Sequence, residues 1–120
     1  MYADKFILTI DLANDVEYSV EIQVSDIPLK GNVQVSNDDE ADKKAEQWVE
    51  NQLDLGNEYA WCDVVVYARV CGHEGFDSLG ACTASSRNEL DALIKDHEMH
   101  KNALDDLKKK LLETGAKLAS

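Results

Sequence analysis

Hydrophobic and polar residues alternate along Lys5–Leu12 (KFILTIDL), with Phe6, Leu8 and Ile10 on one face and Ile7, Thr9 and Asp11 on the other. Asn14-Asp15 supplies turn chemistry, because both side chains can bond nearby backbone. Glu17–Val24 (EYSVEIQV) alternates again, setting Tyr18, Val20, Ile22 and Val24 against Glu17, Ser19, Glu21 and Gln23. Together these segments predict an N-terminal β-hairpin with one wet face. Pro28 and Gly31 punctuate a loop, and Gly31–Ser36 is expected to add a short edge strand.

The period changes from Ser36. Ser36 or Asn37 can cap a helix, and Asp38, Asp39 and Glu40 fall in its first turn, where the helix dipole favours anions. Ala41, Ala45, Trp48, Val49 and Gln52 recur at helical spacing, and Gly56 suits the stop, so a helix is expected over about residues 38–55. Tyr59–Cys71 (YAWCDVVVYARVC) reads as a strand whose even positions, Ala60, Cys62, Val64, Val66, Ala68 and Val70, are all small and apolar. Its odd positions are mixed, so one face should lie under a helix and the other be partly wet. Gly72-His73-Glu74-Gly75 turns the chain into Phe76–Ala84, a second hairpin.

Ser86 and Glu89 form an S-x-x-E capping box, and no glycine or proline follows until Gly115. Leu90, Leu93, His97, His100, Leu104, Leu107, Leu111 and Leu118 follow heptad spacing, with Thr114 in the remaining slot. Such a helix would be about 42 Å long. A strand of eight residues spans only about 26 Å. Part of the helix must overhang the sheet, fold back near residues 98–102, or pair with another chain.

The pattern therefore predicts one α+β domain over residues 1–120. Its antiparallel sheet has four to five strands in the order β-β-(β)-α-β-β-α, with the helices on one face and a long C-terminal helix. Trp48 and Val49 are expected to join the first helix to the sheet, so that Trp48→Ala would cost about 3–5 kcal/mol.

Composition narrows the function. The 120 residues carry 24 acids and 12 bases, a formal charge of −12. A chain of that charge will not bind nucleic acid or anionic lipid by charge attraction. No apolar run approaches the roughly 20 residues of a membrane span, and the start lacks the features of a signal peptide. Three cysteines without framework spacing fit a reducing cytoplasm.

The cysteines and His73 raise the question of zinc. Cys62 and Cys71 lie at the two ends of one strand and on opposite faces, roughly 30 Å apart. If Gly72 pairs with Gly75, Cys82 falls opposite Val65, so neither a four-ligand metal site nor a disulfide is expected. The three residues read as buried structural thiols. His97 and His100 share a helix face, but without the H-E-x-x-H spacing they read as a polar break in a leucine stripe, or as an interface pair whose association weakens on acidification. Asp63 reads as a wet-face residue paired with a base. No phosphate loop, dinucleotide fingerprint or nucleophile elbow is present, and no enzyme, metal or cofactor is expected.

One charge pattern stands apart. Asp38, Asp42, Glu46, Glu50, Asp54 and Glu58 recur every fourth residue without a miss. Like charges at this spacing destabilise a helix by about 0.2–0.5 kcal/mol per pair. Along the axis they step about 6 Å, comparable to successive phosphates on a nucleic-acid strand. Residues 1–58 hold 14 acids against 4 bases. The row reads either as a solvated face or as a surface that docks into a basic groove, as a nucleic-acid mimic would.

Trp61-Cys62-Asp63-Val64, followed by Glu74-Gly75-x-Asp77-x-Leu79-Gly80-x-Cys82 and Ser85-Ser86, resembles a group of small bacteriophage-encoded proteins. The usual aromatic and glycine-rich continuation of that group is replaced here by the Leu/Lys helix. The resemblance implies a phage origin and a host-directed anti-defence role, such as anti-restriction or anti-CRISPR inhibition, in the host cytoplasm. The leading expectation is a non-enzymatic inhibitor whose six-residue acidic row covers a basic, nucleic-acid-binding surface of a host defence protein. The alternative is a self-associating accessory protein, a homodimer whose seam is Leu90, Leu93, His97, His100, Leu104, Leu107 and Leu111, with Lys108, Lys109 and Lys110 beside Asp105 and Asp106 at its rim.

Overall fold

The computed structural model describes residues 9–33, 38–115 and 117–119. The fold is α+β. The elements are β1 (Thr9–Asp11), β2 (Glu17–Val24), α1 (Asp39–Asp54), a 3₁₀ turn (Glu58–Ala60), β3 (Cys62–Val70), β4 (His73–Cys82), α2 (Arg87–Asp96), α3 (Met99–Glu113) and β5 (Lys117–Ala119). The main sheet is antiparallel with three strands in the order β2-β3-β4, not four or five. β1 does not join it. Thr9, Ile10 and Asp11 pair in parallel with Lys117, Leu118 and Ala119, so the expected N-terminal hairpin is replaced, among the described residues, by a pairing of the two ends of the chain. Lys5–Leu8 of that hairpin, the Ser36 and Asn37 caps, and most of the expected edge strand at 31–36 lie outside the described residues. The chain divides into two compact units, one of Met1–Val20, Val65–Asp77 and Glu98–Ser120, the other of Glu21–Val64 and Ser78–His97.

The β3–β4 hairpin turns on two residues, Cys71 and Gly72, both at positive φ (48° and 79°). Two positive φ angles make the turn whose twist suits a two-residue hairpin loop. That loop sets 69 across from 74 and 67 across from 76. Arg69 Nε accordingly meets Glu74 Oε2 at 2.6 Å, and the Tyr67 and Phe76 rings lie 6.4 Å apart. The even positions of β3 are all buried, as their small apolar side chains predict.

In the first unit, α3 lies directly on β4. Gly75 is buried, and a Cβ there would stand 2.6 Å from Leu107 Cα and 2.5 Å from the Ala103 carbonyl oxygen, so only glycine admits the helix backbone. β4 is an edge strand, and α3 covers its free edge. Asp106 Oδ2 accepts from the Phe76 amide at 3.0 Å, Lys110 Nζ donates to the Glu74 carbonyl at 3.1 Å, and Asn102 donates to Asp77 Oδ2 at 3.0 Å. Edge groups bonded this way cannot template another strand.

In the second unit the core is Val33, Val49, Ala60 and Trp61, with Leu29, Ala45, Leu53 and Ala81 packed on it. Trp61 Nε1 donates to the Ile27 carbonyl at 2.9 Å, which fixes the 25–33 loop. Val49 is fully buried, but Trp48 is 39% exposed, so the helix-to-sheet contact expected of the pair belongs to Val49 alone. Trp61, adjacent in sequence to the strand, fills the space assigned to Trp48.

β4 changes phase near its end. Gly75, Asp77 and Leu79 face inward up to that point, and Cys82 and Ala84 are the buried residues beyond it. One extra residue is accommodated at Ala81, whose φ is 53° and whose amide donates to Asp63 Oδ1 at 2.9 Å. This is a β-bulge. Together with the Cys71-Gly72 turn it places Cys82 beside Cys62, whereas pairing Gly72 with Gly75 would set it opposite Val65.

The long C-terminal helix is also corrected. α2 ends at Asp96, His97 caps it, and Glu98 at φ 51° precedes α3. The buried residues are Leu90 and Ile94 on α2, then Met99, Ala103, Leu107 and Leu111 on α3. Ile94 to Met99 is a step of five, which no continuous helical stripe accommodates, and Glu98 takes up the slip. Half of the expected capping box forms: Ser86, the N-cap, accepts from the Glu89 amide, but Glu89 reaches back one residue further and accepts from the Ser85 amide at 3.1 Å instead of that of Ser86.

Candidate functional site

The acidic row is carried by α1 and the 3₁₀ turn after it. Asp38 is the N-cap, its carboxylate accepting from the Glu40 amide at 3.0 Å, and Asp39, Glu40 and Asp42 occupy the first turn. A helix advances about 100° per residue, so a four-residue step drifts about 40° around the axis. The row is therefore a spiral. Asp42 and Glu46 fall beside the buried face and are half-buried, while Glu50, Asp54 and Glu58 are exposed.

The six carboxylates differ in what already holds them. Glu46 Oε2 accepts from the Gly31 amide at 3.1 Å and ties α1 to the 25–33 loop. Asp39, Asp42, Glu46, Lys30 and Lys43 line a cleft of about 300 Å³ beside that contact, closed by Gly31 and Val33. Among the described residues, Glu50, Asp54 and Glu58 take part in no ion pair. Asp54 stands in the last turn of α1, which holds no basic residue. The helix dipole disfavours an anion there, so local helix electrostatics gain nothing from it. Glu58 is placed by Asn57, which caps the 3₁₀ turn through the Tyr59 amide and donates to Gln52 Oε1 at 3.1 Å and the Ser85 carbonyl at 3.2 Å.

The structure adds two residues that periodicity hid. Trp48 and Leu55 (80% exposed) are large apolar side chains on the same helix and its C-cap. They stand within the same helical stretch as Glu50 and Asp54. The sequence does carry a signal for them: the stripe 45, 49, 53 is complete without Trp48, which leaves the tryptophan over.

The residues expected to form a self-association seam are dispersed. Leu90, Leu107 and Leu111 are fully buried in their own chain, Leu93 and Leu104 are half-buried, and His97 and His100 are exposed. His100 packs against Tyr18, ring centroids 5.4 Å apart. Leu90, Leu107 and Leu111, buried within their own chain, do not offer their side chains to a seam, and Leu107 lies with its backbone against Gly75 of β4. The rim expected beside it closes on itself as well: Asp106 pairs with Lys110 at 2.9 Å and Asp105 with Lys101 at 3.9 Å. The Lys110 ammonium and the Phe76 amide hold the Asp106 carboxyl below its ordinary range.

A second cleft, of about 390 Å³, borders the β3–β4 turn, lined by Asp15, Glu17, Arg69, Cys71, His73 and Glu74 among others. Arg69 within it is engaged by Glu74, by Ser19 at 2.7 Å and by the Tyr67 ring at 4.3 Å. Asp63, expected to pair with a base, instead accepts the bulge amide of Ala81. No group of three or more metal-ligating side chains converges among the described residues, and no described helix is long and apolar enough to cross a membrane. Compared with protein-family models, curated proteins and solved structures, the chain matches none.

Proposed function

We infer that this protein is an acidic interaction module whose α1 engages a basic surface of another protein. The observation that carries the reading is the exposed run Glu50, Asp54 and Glu58, which has no ion pair among the described residues, with Asp54 in a last helical turn that disfavours anions and Trp48 and Leu55 exposed on another face of the same helical stretch. Exposed tryptophan is a frequent component of an interaction hot spot. Glu50 and Asp54 step about 6 Å along the helix axis, comparable to successive phosphates, which supports a partner surface that binds nucleic acid. In the narrower form that the bacteriophage resemblance implies, that partner is a host defence protein and the module is its non-enzymatic inhibitor.

The test is affinity capture from host lysate with two baits, the wild-type chain and the Glu50→Lys/Asp54→Lys/Glu58→Lys variant. The wild type should retain a nucleic-acid-binding protein that elutes with rising salt and with competing DNA or RNA. The variant should lose it. Equal capture by both baits would leave the row as a solvated face.

A further inference from the structure

Cys62 and Cys82 are nucleophilic groups that the acidic helix does not use. Both side chains are buried, on neighbouring strands. The bulge at Ala81 returns Cys82 to the inward face at the register of Cys62, both facing the core. Each sulfur also lies near a carbonyl of its own segment, Cys62 at 3.7 Å from Tyr59 O and Cys82 at 3.5 Å from Leu79 O. Cys71, by contrast, is exposed on the hairpin turn.

We propose that Cys62 and Cys82 are a redox pair, which a peroxide converts from two thiols into one disulfide joining β3 to β4. The Cys62 sulfur attacks one peroxide oxygen: an S–O bond forms, the O–O bond breaks, and the departing oxygen leaves as water. The Cys82 sulfur then attacks the sulfenic sulfur, so that an S–S bond forms, the S–O bond breaks and a second water leaves. The two thiols lose two electrons and the peroxide gains two; both thiol protons end in water. Cys62 is the attacking group because the neighbouring Cys82 thiol holds the Cys62 thiol below the ordinary range, against burial and Asp63, while Cys62, burial and Asp63 push Cys82 up. Cross-strand Cβ atoms lie about 4.5–5.5 Å apart and a disulfide needs about 3.5–4.5 Å. Closure therefore asks only for a small approach, at a point where the bulge has already interrupted the ladder.

The experiment treats the full-length Cys71→Ser protein with hydrogen peroxide, then maps it without reduction by mass spectrometry. A loss of two hydrogens in a monomer, located to a peptide pair containing Cys62 and Cys82 and reversed by reductant, is expected. The oxidised form should melt roughly 10 °C higher than the reduced one. Sulfinic or sulfonic acid at either cysteine without a cross-link, a link between chains, or two thiols that still alkylate after unfolding would each overturn the proposal. The wild-type chain, mapped in parallel, decides the matter equally well should the variant fail to fold, since the joined peptides identify the cysteines. Cys62→Ser must abolish the intramolecular link.

Discussion

α1 and α3 are almost equal in length, 16 and 15 residues, yet the fold uses them in opposite ways. α3 buries Met99, Ala103, Leu107 and Leu111, and commits Asn102, Asp106 and Lys110 to the edge of β4. α1 fully buries Val49 alone and leaves Trp48, Glu50 and Asp54 exposed. Both helices look amphipathic in the sequence. What separates them is how many polar and aromatic side chains remain uncommitted after packing, and by that measure α3 is committed to the sheet while α1 is the helix on which the proposed interaction rests.

The contrast is easiest to break on α3. Leu107→Ala removes a fully buried side chain and should cost about 2–5 kcal/mol, and Gly75→Val should fold poorly or not at all, because its side chain meets helix backbone rather than a movable side chain. Chemical denaturation reads both. A Gly75→Val protein of wild-type stability would mean that α3 does not lie on β4.

The two tryptophans give the same contrast within one unit. Trp61→Ala should cost about 3–5 kcal/mol and releases the Ile27 carbonyl from its hydrogen bond. Trp48→Ala should fall within about 0.5–1 kcal/mol of wild type. Thermal melts of the two variants would reverse the assignment if their costs exchanged. Helical spacing alone ranks them the other way, because it makes the largest apolar side chain near the stripe the anchor. The sheet needs only the narrow stripe Ala45, Val49, Leu53 once Trp61 fills the core.

Other parts of the fold are legible or hidden for equally local reasons. The even face of β3 and the Ser86 cap follow from side-chain chemistry alone, and both form. The break at His97–Glu98 is hidden when only leucines are counted; with Ile94, Met99 and Ala103 included, the five-residue step is visible. The meeting of Cys62 with Cys82 cannot be seen in the sequence, since it depends on a turn two residues earlier than Gly72–Gly75 pairing implies and on a bulge at an alanine. Of the candidate site, the row of acids is fully legible. The division between bound Glu46 and unbound Glu50, Asp54 and Glu58 is not, because it depends on where the 25–33 loop crosses the helix.

The edge clamp on α3 makes a pH prediction. Asp106 is held below its ordinary value of 3.8, first by the Lys110 hydrogen bond and then by the Phe76 amide. A carboxyl whose folded value is depressed contributes stability that is present above the unfolded value and is lost as pH falls through the folded one. Wild-type melting temperature should therefore decline as pH drops below about 4, and Asp106→Asn should show a shallower decline. Parallel slopes for the two proteins would show that Asp106 is not coupled to folding.

The smallest stability effect belongs to the residues that matter most for the proposed function. Glu50→Lys with Asp54→Lys turns the i,i+4 repulsion between Glu46 and residue 50 into an attraction and places one cation, at 54, in the last turn of α1, where the dipole favours it, while residues 50 and 54 stay like-charged. Stability should stay level or rise by a few tenths of a kcal/mol. Glu46 is left intact in this design, because its bond to Gly31 would confound folding with binding. Partner capture should nonetheless disappear. A helix whose charge reversal stabilises the fold while abolishing binding has its carboxylates set for a partner. One whose reversal lowers stability has contacts with its own chain that the geometry of Glu50 and Asp54 does not show, and the contrast with α3 would then fail at its centre.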